Sequence, residues 1–215
     1  MTSSIEAVLF DFGGVFTGSP FQAIDKYAAA QGVEPEDLME LVFGSYHADT
    51  DHPWHQCERG ELGLGDAFTQ ITANAHAAGI RFDSGELFSS MAEDPFDRTI
   101  VVDLVRSVRA RGIRTAVVTN NVAEYGSTWR RMIPVDELFD AVIDSCEIGV
   151  RKPNPAIYHV ALEQLGVREP SRAVFLDDYE GNVVAARALG IHGILVGYDP
   201  QPALDELTAL LEASS

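Results

Sequence analysis

The stretch LFDFGGVFTG, residues 9–18, decides how the rest of the chain is read. It completes the apolar run EAVLFD (residues 6–11) on the carboxylate of Asp11, and Gly13 and Gly14 follow almost at once. A short apolar run bounded by glycines reads as a buried strand. A charge left at the end of a buried strand is costly unless something neutralises it. Glycines beside it let a ligand approach the backbone closely. The pattern predicts a site at the carboxyl end of this first strand.

The second half of the chain alternates. DRTIVVDLVRSVRAR (97–111) has apolar residues at helical spacing and stops at Gly112. IRTAVVT (113–119) is a β-branched run that reads as a buried strand. A helix is predicted around 123–133, then a strand FDAVIDS (139–145) and a helix NPAIYHVALEQLG (154–166) with Pro155 in its first turn. The strand AVFLDD (173–178), the helix NVVAARALG (182–190), the strand HGILVG and the helix PALDELTALLEA complete the series. Alternation at this pitch predicts an α/β fold of Rossmann-like type, a parallel sheet flanked by helices.

Residues 18 to about 96 break that rhythm. FQAIDKYAAAQG, EDLMELVFGSY and GDAFTQITANAHAAG are helical patterns with no convincing strand between them. The expected organisation is a core of residues 1–16 and 97–215 with a helical cap, residues 17–96, inserted just after Asp11. Ligands of open parallel sheets sit outside the carboxyl ends of the strands, so the insert is placed to cover a site there.

Composition narrows the function classes. The chain has 215 residues, 46% of them apolar, enough for one medium domain with an insert. Its 15 basic and 33 acidic residues give a formal charge of −18. Nucleic acid and anionic membranes both reward a basic face, so neither is an expected partner. A small phosphorylated metabolite remains compatible if the site is locally positive. Cys57 and Cys146 lie far apart, and there is no C-x-x-C. They are read as reduced thiols of a cytoplasmic protein. The start MTSSIEAVLFDFGG lacks the pattern of a signal peptide. Nothing in the sequence speaks to oligomeric state.

The strand ends collect chemistry. The first delivers Asp11, Gly13 and Gly14, the second Thr119 and Asn120, and the fourth Asp177 and Asp178; Arg151 and Lys152 follow the third. An Asp carboxylate can attack phosphorus. Mg²⁺ is held by a few carboxylates with substrate oxygens and water: Asp11 and Asp178 suit it, with Asp177 joining through a water. Lys152 offsets negative charge. Thr119 and N–H groups at the start of the next helix can hold phosphoryl oxygens. Asp177 has a second reading as a helix cap.

DFGGV, VVTNN, RKP and LDDYEGNV resemble, in order, the four motifs of the haloacid dehalogenase (HAD) superfamily, whose members are mostly Mg²⁺-dependent phosphatases. DFGGV and DDYEGN are most similar to the subgroup with the N-terminal phosphatase domain of soluble epoxide hydrolases. The resemblance implies a HAD core with an α-helical cap. It implies that Asp11 is the nucleophile and a metal ligand, and that the carbonyl of Gly13 also binds Mg²⁺. Thr119 and Asn120, with Gly14 beside them, would hold the phosphoryl group. Lys152 would balance charge, and Asp177 and Asp178 would serve the metal.

One position departs from the pattern. The superfamily's D-x-D places its general acid where this chain has Gly13. General acid–base help is worth about 10²–10⁴-fold. Three readings follow: a phosphatase whose proton comes from a cap residue or water, a weak or inactive relative that binds phosphate compounds or a protein, and a dehalogenase. The last needs no metal, and Asp177 and Asp178 weigh against it because uncompensated carboxylates repel each other.

The insert segment HADTDHPWHQCERGE (47–61) concentrates His47, His52, His55, Cys57, Asp49 and Asp51. It reads as a polar loop over Trp54. The sharper alternatives are a second metal site or a histidine, His52 or His55, that supplies the missing proton. The spacing His52-x-x-His55-x-Cys57 is not a familiar zinc pattern. Glu58 and Glu61 are expected on a solvated helix face, and Arg151 either on phosphate or exposed beside Lys152. Phe10, Phe12, Val117 and Phe175 are expected in the core. Tyr179 and Glu180 either line the mouth of the site or shape its turn.

Overall fold

A computed structural model of the protein describes residues 4–45, 47–92 and 99–214. Five strands, β1 (Ala7–Phe10), β2 (Arg114–Thr119), β3 (Ala141–Asp144), β4 (Ala173–Asp177) and β5 (His192–Leu195), form one sheet in the order β3-β2-β1-β4-β5. Every pairing is parallel. The fold is the α/β, Rossmann-like arrangement that the alternation implies.

The helices are α1 (Pro20–Gln31), α2 (Pro35–Phe43), α3 (Pro53–Glu58), α4 (Leu64–Ala77), α5 (Ser84–Ala92), α6 (Thr99–Ala110), α7 (Gly126–Trp129), α8 (Val135–Leu138), α9 (Ser145–Ile148), α10 (Pro155–Gln164), α11 (Glu180–Ala188) and α12 (Gln201–Ala213). Strand alternation sends Val8 and Phe10 to one face of the sheet and Ala7 and Leu9 to the other. The first pair packs under α6 and α12 with Val105, Leu204 and Leu207. The second packs under α10 and α11 with Ile157, Tyr158 and Ala186. Phe10, Phe12, Val117 and Phe175 are buried as expected. Each large apolar side chain buried this way contributes about 1.5–3 kcal/mol.

Helices α1–α5 follow β1 and share an apolar cluster of their own, built on Ile24, Leu38, Phe43, Trp54, Ile71 and Leu87. The expected boundary at residues 96 and 97 lies outside the described residues.

Two local expectations need correction. The helix around 123–133 is a single 3₁₀ turn (Ala123–Tyr125) followed by the one-turn α7. Gly126 interrupts the pattern and Pro134 limits it, while Trp129 turns inward to lie 4.8 Å from the Phe12 ring. The polar loop at 47–61 contains α3. Pro53 opens this helix, and the His52 ring, which accepts from Trp54 N–H, caps it. Cys57 and Cys146 are both free thiols.

Candidate active site

The sheet order puts β1 between β2 and β4, so Asp11, Thr119 and Asp177 emerge side by side. Asp11 is nearly buried. Its Oδ1 accepts from Phe12 N–H at 2.7 Å and from Lys152 Nζ at 2.7 Å. Lys152 also donates to Asp177 Oδ2 at 2.7 Å. Asp178 accepts from the Ser19 hydroxyl at 2.7 Å. Carboxylate oxygens of Asp11, Asp177 and Asp178 lie within 4.8 Å of one another.

The electrostatics follow from that crowding. Burial pushes the Asp11 carboxyl up to about 7, with Asp177 adding to the rise and Lys152 opposing it. Burial, then the charges of Asp177 and Asp11, hold Asp178 well above the ordinary carboxylate range. Burial alone would lower Lys152, but Asp11 and Asp177 outweigh it and raise the ammonium above its usual value. Three carboxylates against one ammonium leave two negative charges uncompensated. A hard divalent cation matches both that deficit and the all-oxygen donor set. The residues therefore fit Mg²⁺, with Asp11 and Asp178 as the carboxylates to hold it. Asp177 is committed elsewhere: its oxygens accept from Tyr179 N–H, Asn182 Nδ2 and Lys152. It holds the turn before α11 without being that helix's N-cap, which is Tyr179, and it also anchors the lysine.

Gly14 has φ +67°, and a Cβ there would lie 2.0 Å from Asp178 Oδ2. The close approach is between the chain's own backbone and a carboxylate. Gly14→Ala should lose about 1–2 kcal/mol from the left-handed backbone alone and displace Asp178. Chemical denaturation and Mg²⁺ titration check this. Gly13→Ala is the control, because a Cβ at Gly13 meets nothing within 4 Å.

Other expected site residues are used differently. Asn120 does not offer its side chain to a phosphoryl group. Its Oδ1 accepts from Lys152 N–H at 2.7 Å and its Nδ2 donates to Lys152 C=O at 3.0 Å, so it clamps the lysine's backbone. No full helix begins after Thr119, and the N–H groups of Asn121 and Val122 already bond Ser145 Oγ and Asn121 Oδ1. Thr119 itself is buried at the end of β2. Arg151 is not exposed. It is fully buried, and its Nε donates to Glu58 Oε2 at 2.6 Å. Glu58, expected in solvent, is buried with it, and Trp54 Nε1 donates to its other oxygen at 2.9 Å. A polar residue in a region of helical period gave no hint of this partner, which lies 93 residues away. Glu61 is exposed and pairs with Arg59.

His52 and His55 are both engaged within the insert. His52 Nδ1 accepts from Trp54 N–H, its Nε2 faces the Leu41 carbonyl at 3.2 Å, and burial lowers its pKa. His55 is fully buried and its Nδ1 accepts from Thr50 N–H at 3.0 Å. Burial, followed by the charge of Arg151, lowers the His55 pKa to about 3. Such burial disfavours the imidazolium form near neutrality. Between pH 6.5 and about 3 the unfolded chain binds a proton at His55 that the folded chain refuses. Stability should therefore rise with pH across that window, by up to ~1.4 kcal/mol per unit from this residue. Denaturation at several pH values should show a shallower slope for His55→Gln. His47 instead lies at the mouth, its Nε2 3.3 Å from the Tyr179 hydroxyl, and Tyr179 stacks at 5.4 Å on Phe21 of α1.

A cluster of carboxylates at adjacent strand ends of this sheet is the setting in which comparison with known proteins places the chain among hydrolases. The chain matches the family model described as haloacid dehalogenase-like hydrolase over residues 5–190 and belongs to that family. It is 30% identical to acyl-CoA dehydrogenase family member 10 of Mus musculus, over 97% of this chain and 19% of that protein. It is 28% identical to bifunctional epoxide hydrolase 2 of Mus musculus, over 95% of this chain and 38% of the other. The chain thus spans well under half the length of these two relatives. With the sesquiterpene phosphatase AstK of Aspergillus oryzae it shares 27% identity over 90% of this chain and 91% of that one. A HAD family enzyme of Bacteroides thetaiotaomicron, solved with magnesium and inorganic phosphate, has the same fold: TM-score 0.59, 20% identity, 91% of this chain and 96% of that chain covered. Among the described residues, no helix is long and apolar enough to cross a membrane.

Proposed function

We propose that the protein is a Mg²⁺-dependent phosphatase that hydrolyses a small phosphate monoester through a phosphoryl-aspartate on Asp11. The observation that carries this reading is the set of three carboxylates and one lysine at adjacent strand ends, with two negative charges left for a divalent cation. When bound, Mg²⁺ supplies charge stabilisation at the phosphoryl oxygens.

The chain's own residues do the rest. Both hydrogen bonds to Asp11 fall on Oδ1, which leaves Oδ2 to attack phosphorus in line. The new O–P bond forms as the bond to the alcohol oxygen breaks, and that oxygen takes its proton from water. A second water then attacks the phosphoryl-aspartate, releasing phosphate and restoring the carboxylate. Lys152 holds Asp11 in place and offsets charge at the phosphoryl group. Residues 17–96 act as the cap, and Phe21 and His47 on it, with Tyr179 on the core, face the leaving group. The free thiols suit a reducing cytoplasm.

Phosphate release from p-nitrophenyl phosphate and acetyl phosphate, with Mg²⁺ and after chelation, tests the proposal. Turnover lost on chelation is the expected result. Chelator-resistant halide release from 2-chloropropionate would replace it with dehalogenase chemistry. Gly13 favours one second reading, a phosphate-binding relative without turnover. Tight inorganic phosphate binding with no hydrolysis of either ester would establish that instead.

A further inference from the structure

Arg151 and Lys152 are neighbours in the chain, yet their side chains leave in different directions and both are buried. Lys152 runs to Asp11 and Asp177. Arg151 runs to Glu58, at the end of α3 in the insert. Glu58 has a donor on each oxygen, Arg151 on one and the Trp54 indole on the other. Asp49 lies 4.0 Å from Arg151 Nη1 and also pairs with Arg59, so charges of alternating sign run along this face of the insert. The insert is pressed close here: a Cβ at Gly60, φ +69°, would lie 2.6 Å from the Cys146 carbonyl of the core.

The main chain at Lys152 is therefore held on two sides. Asn120 grips its N–H and C=O from β2. The Arg151–Glu58 pair grips it from the insert. We infer that Glu58 and Arg151 are positioning residues: docking of α3 on the core, through this buried pair, sets where Lys152 places its ammonium. An ion pair this deeply buried is poor evidence of stabilisation, since an apolar pair of similar volume often serves as well. Its geometric effect is different. It fixes the residue next to a lysine that must reach two carboxylates at once. A shift of about 1 Å in such a group can cost about 10²-fold in rate. This inference rests on the phosphatase reading for its kinetic consequence but not for its structural one.

The chain has only two lysines, Lys26 and Lys152. Lys26 is exposed and Lys152 is buried, so acylation by an amine-reactive reagent, read by mass spectrometry, reports Lys152 against an internal standard. The informative variant carries Arg151→Met and Glu58→Gln together, which removes both charges and leaves an amide oxygen for Trp54. Its melting temperature should stay within about 5 °C of wild type. Its Lys152 labelling relative to Lys26 should rise about tenfold as the loop is released. Its kcat on p-nitrophenyl phosphate should fall about 10–100-fold with KM changed less than about threefold. Arg151→Lys should recover most of the lost kcat. A folded double variant with wild-type labelling and wild-type kcat would reduce the pair to a mechanical clamp and overturn the inference. If the double variant does not fold, Glu58→Gln alone is judged by the same two readouts. A wild type that hydrolyses no phosphate ester would count against the phosphatase reading only, and the labelling ratio would still decide the inference.

Discussion

Asp11→Asn should lower turnover of p-nitrophenyl phosphate by a factor on the order of 10⁴ or more, the scale of losing a nucleophile. The substitution is nearly isosteric and removes one of three crowded carboxylates, so the fold should tolerate it. Lys152 would keep Asp177 as a partner. The measurement is single-turnover phosphate release, with the melting temperature as a control for folding. Residual activity within about tenfold of wild type would move the nucleophile off Asp11.

Gly13→Asp should act in the opposite direction. A Cβ at Gly13 meets nothing within 4 Å, and Gly13 is not among the glycines with positive φ. An Asp side chain can therefore enter without backbone strain. It would put back, at the position where the family pattern has it, the carboxyl that serves as general acid. A protonated acid is what an alkoxide leaving group needs. Turnover of alkyl phosphates should rise about 10²–10⁴-fold, while p-nitrophenyl phosphate, whose leaving group needs no proton, should change little. The wild type should accordingly show a steep dependence on leaving-group pKa, and the variant a flat one. An equal change for both ester types would mean that proton donation is not what Gly13 removed.

The sequence was most legible where local pattern and topology coincide. β1, β2 and β4 appear where the apolar runs stand, because a strand buried on both faces admits little else. Asp11, Asp177 and Asp178 could be grouped from the sequence, since strand ends in a parallel sheet share one edge. The residues hardest to read are those whose surroundings form only on folding. The Asn120 side chain gives both of its heteroatoms to Lys152, 32 residues away. Glu58 looks solvated until Arg151 covers it. His52 and His55 look like acids until α3 closes around them and desolvation favours the neutral ring.

The α/β alternation, the run of helices after Asp11 and the family motifs at the strand ends, including the glycine at the expected acid's position, could be read from the residues alone. These are matters of period, order and residue type, which need no distant partner to be read. How the charges pair emerged on folding: one lysine shared between Asp11 and Asp177, a buried arginine bonded to a glutamate of the insert, and two histidines whose burial disfavours the charged ring. Pairing depends on distance and on loss of water. Both arise only when segments far apart in the chain are packed against each other.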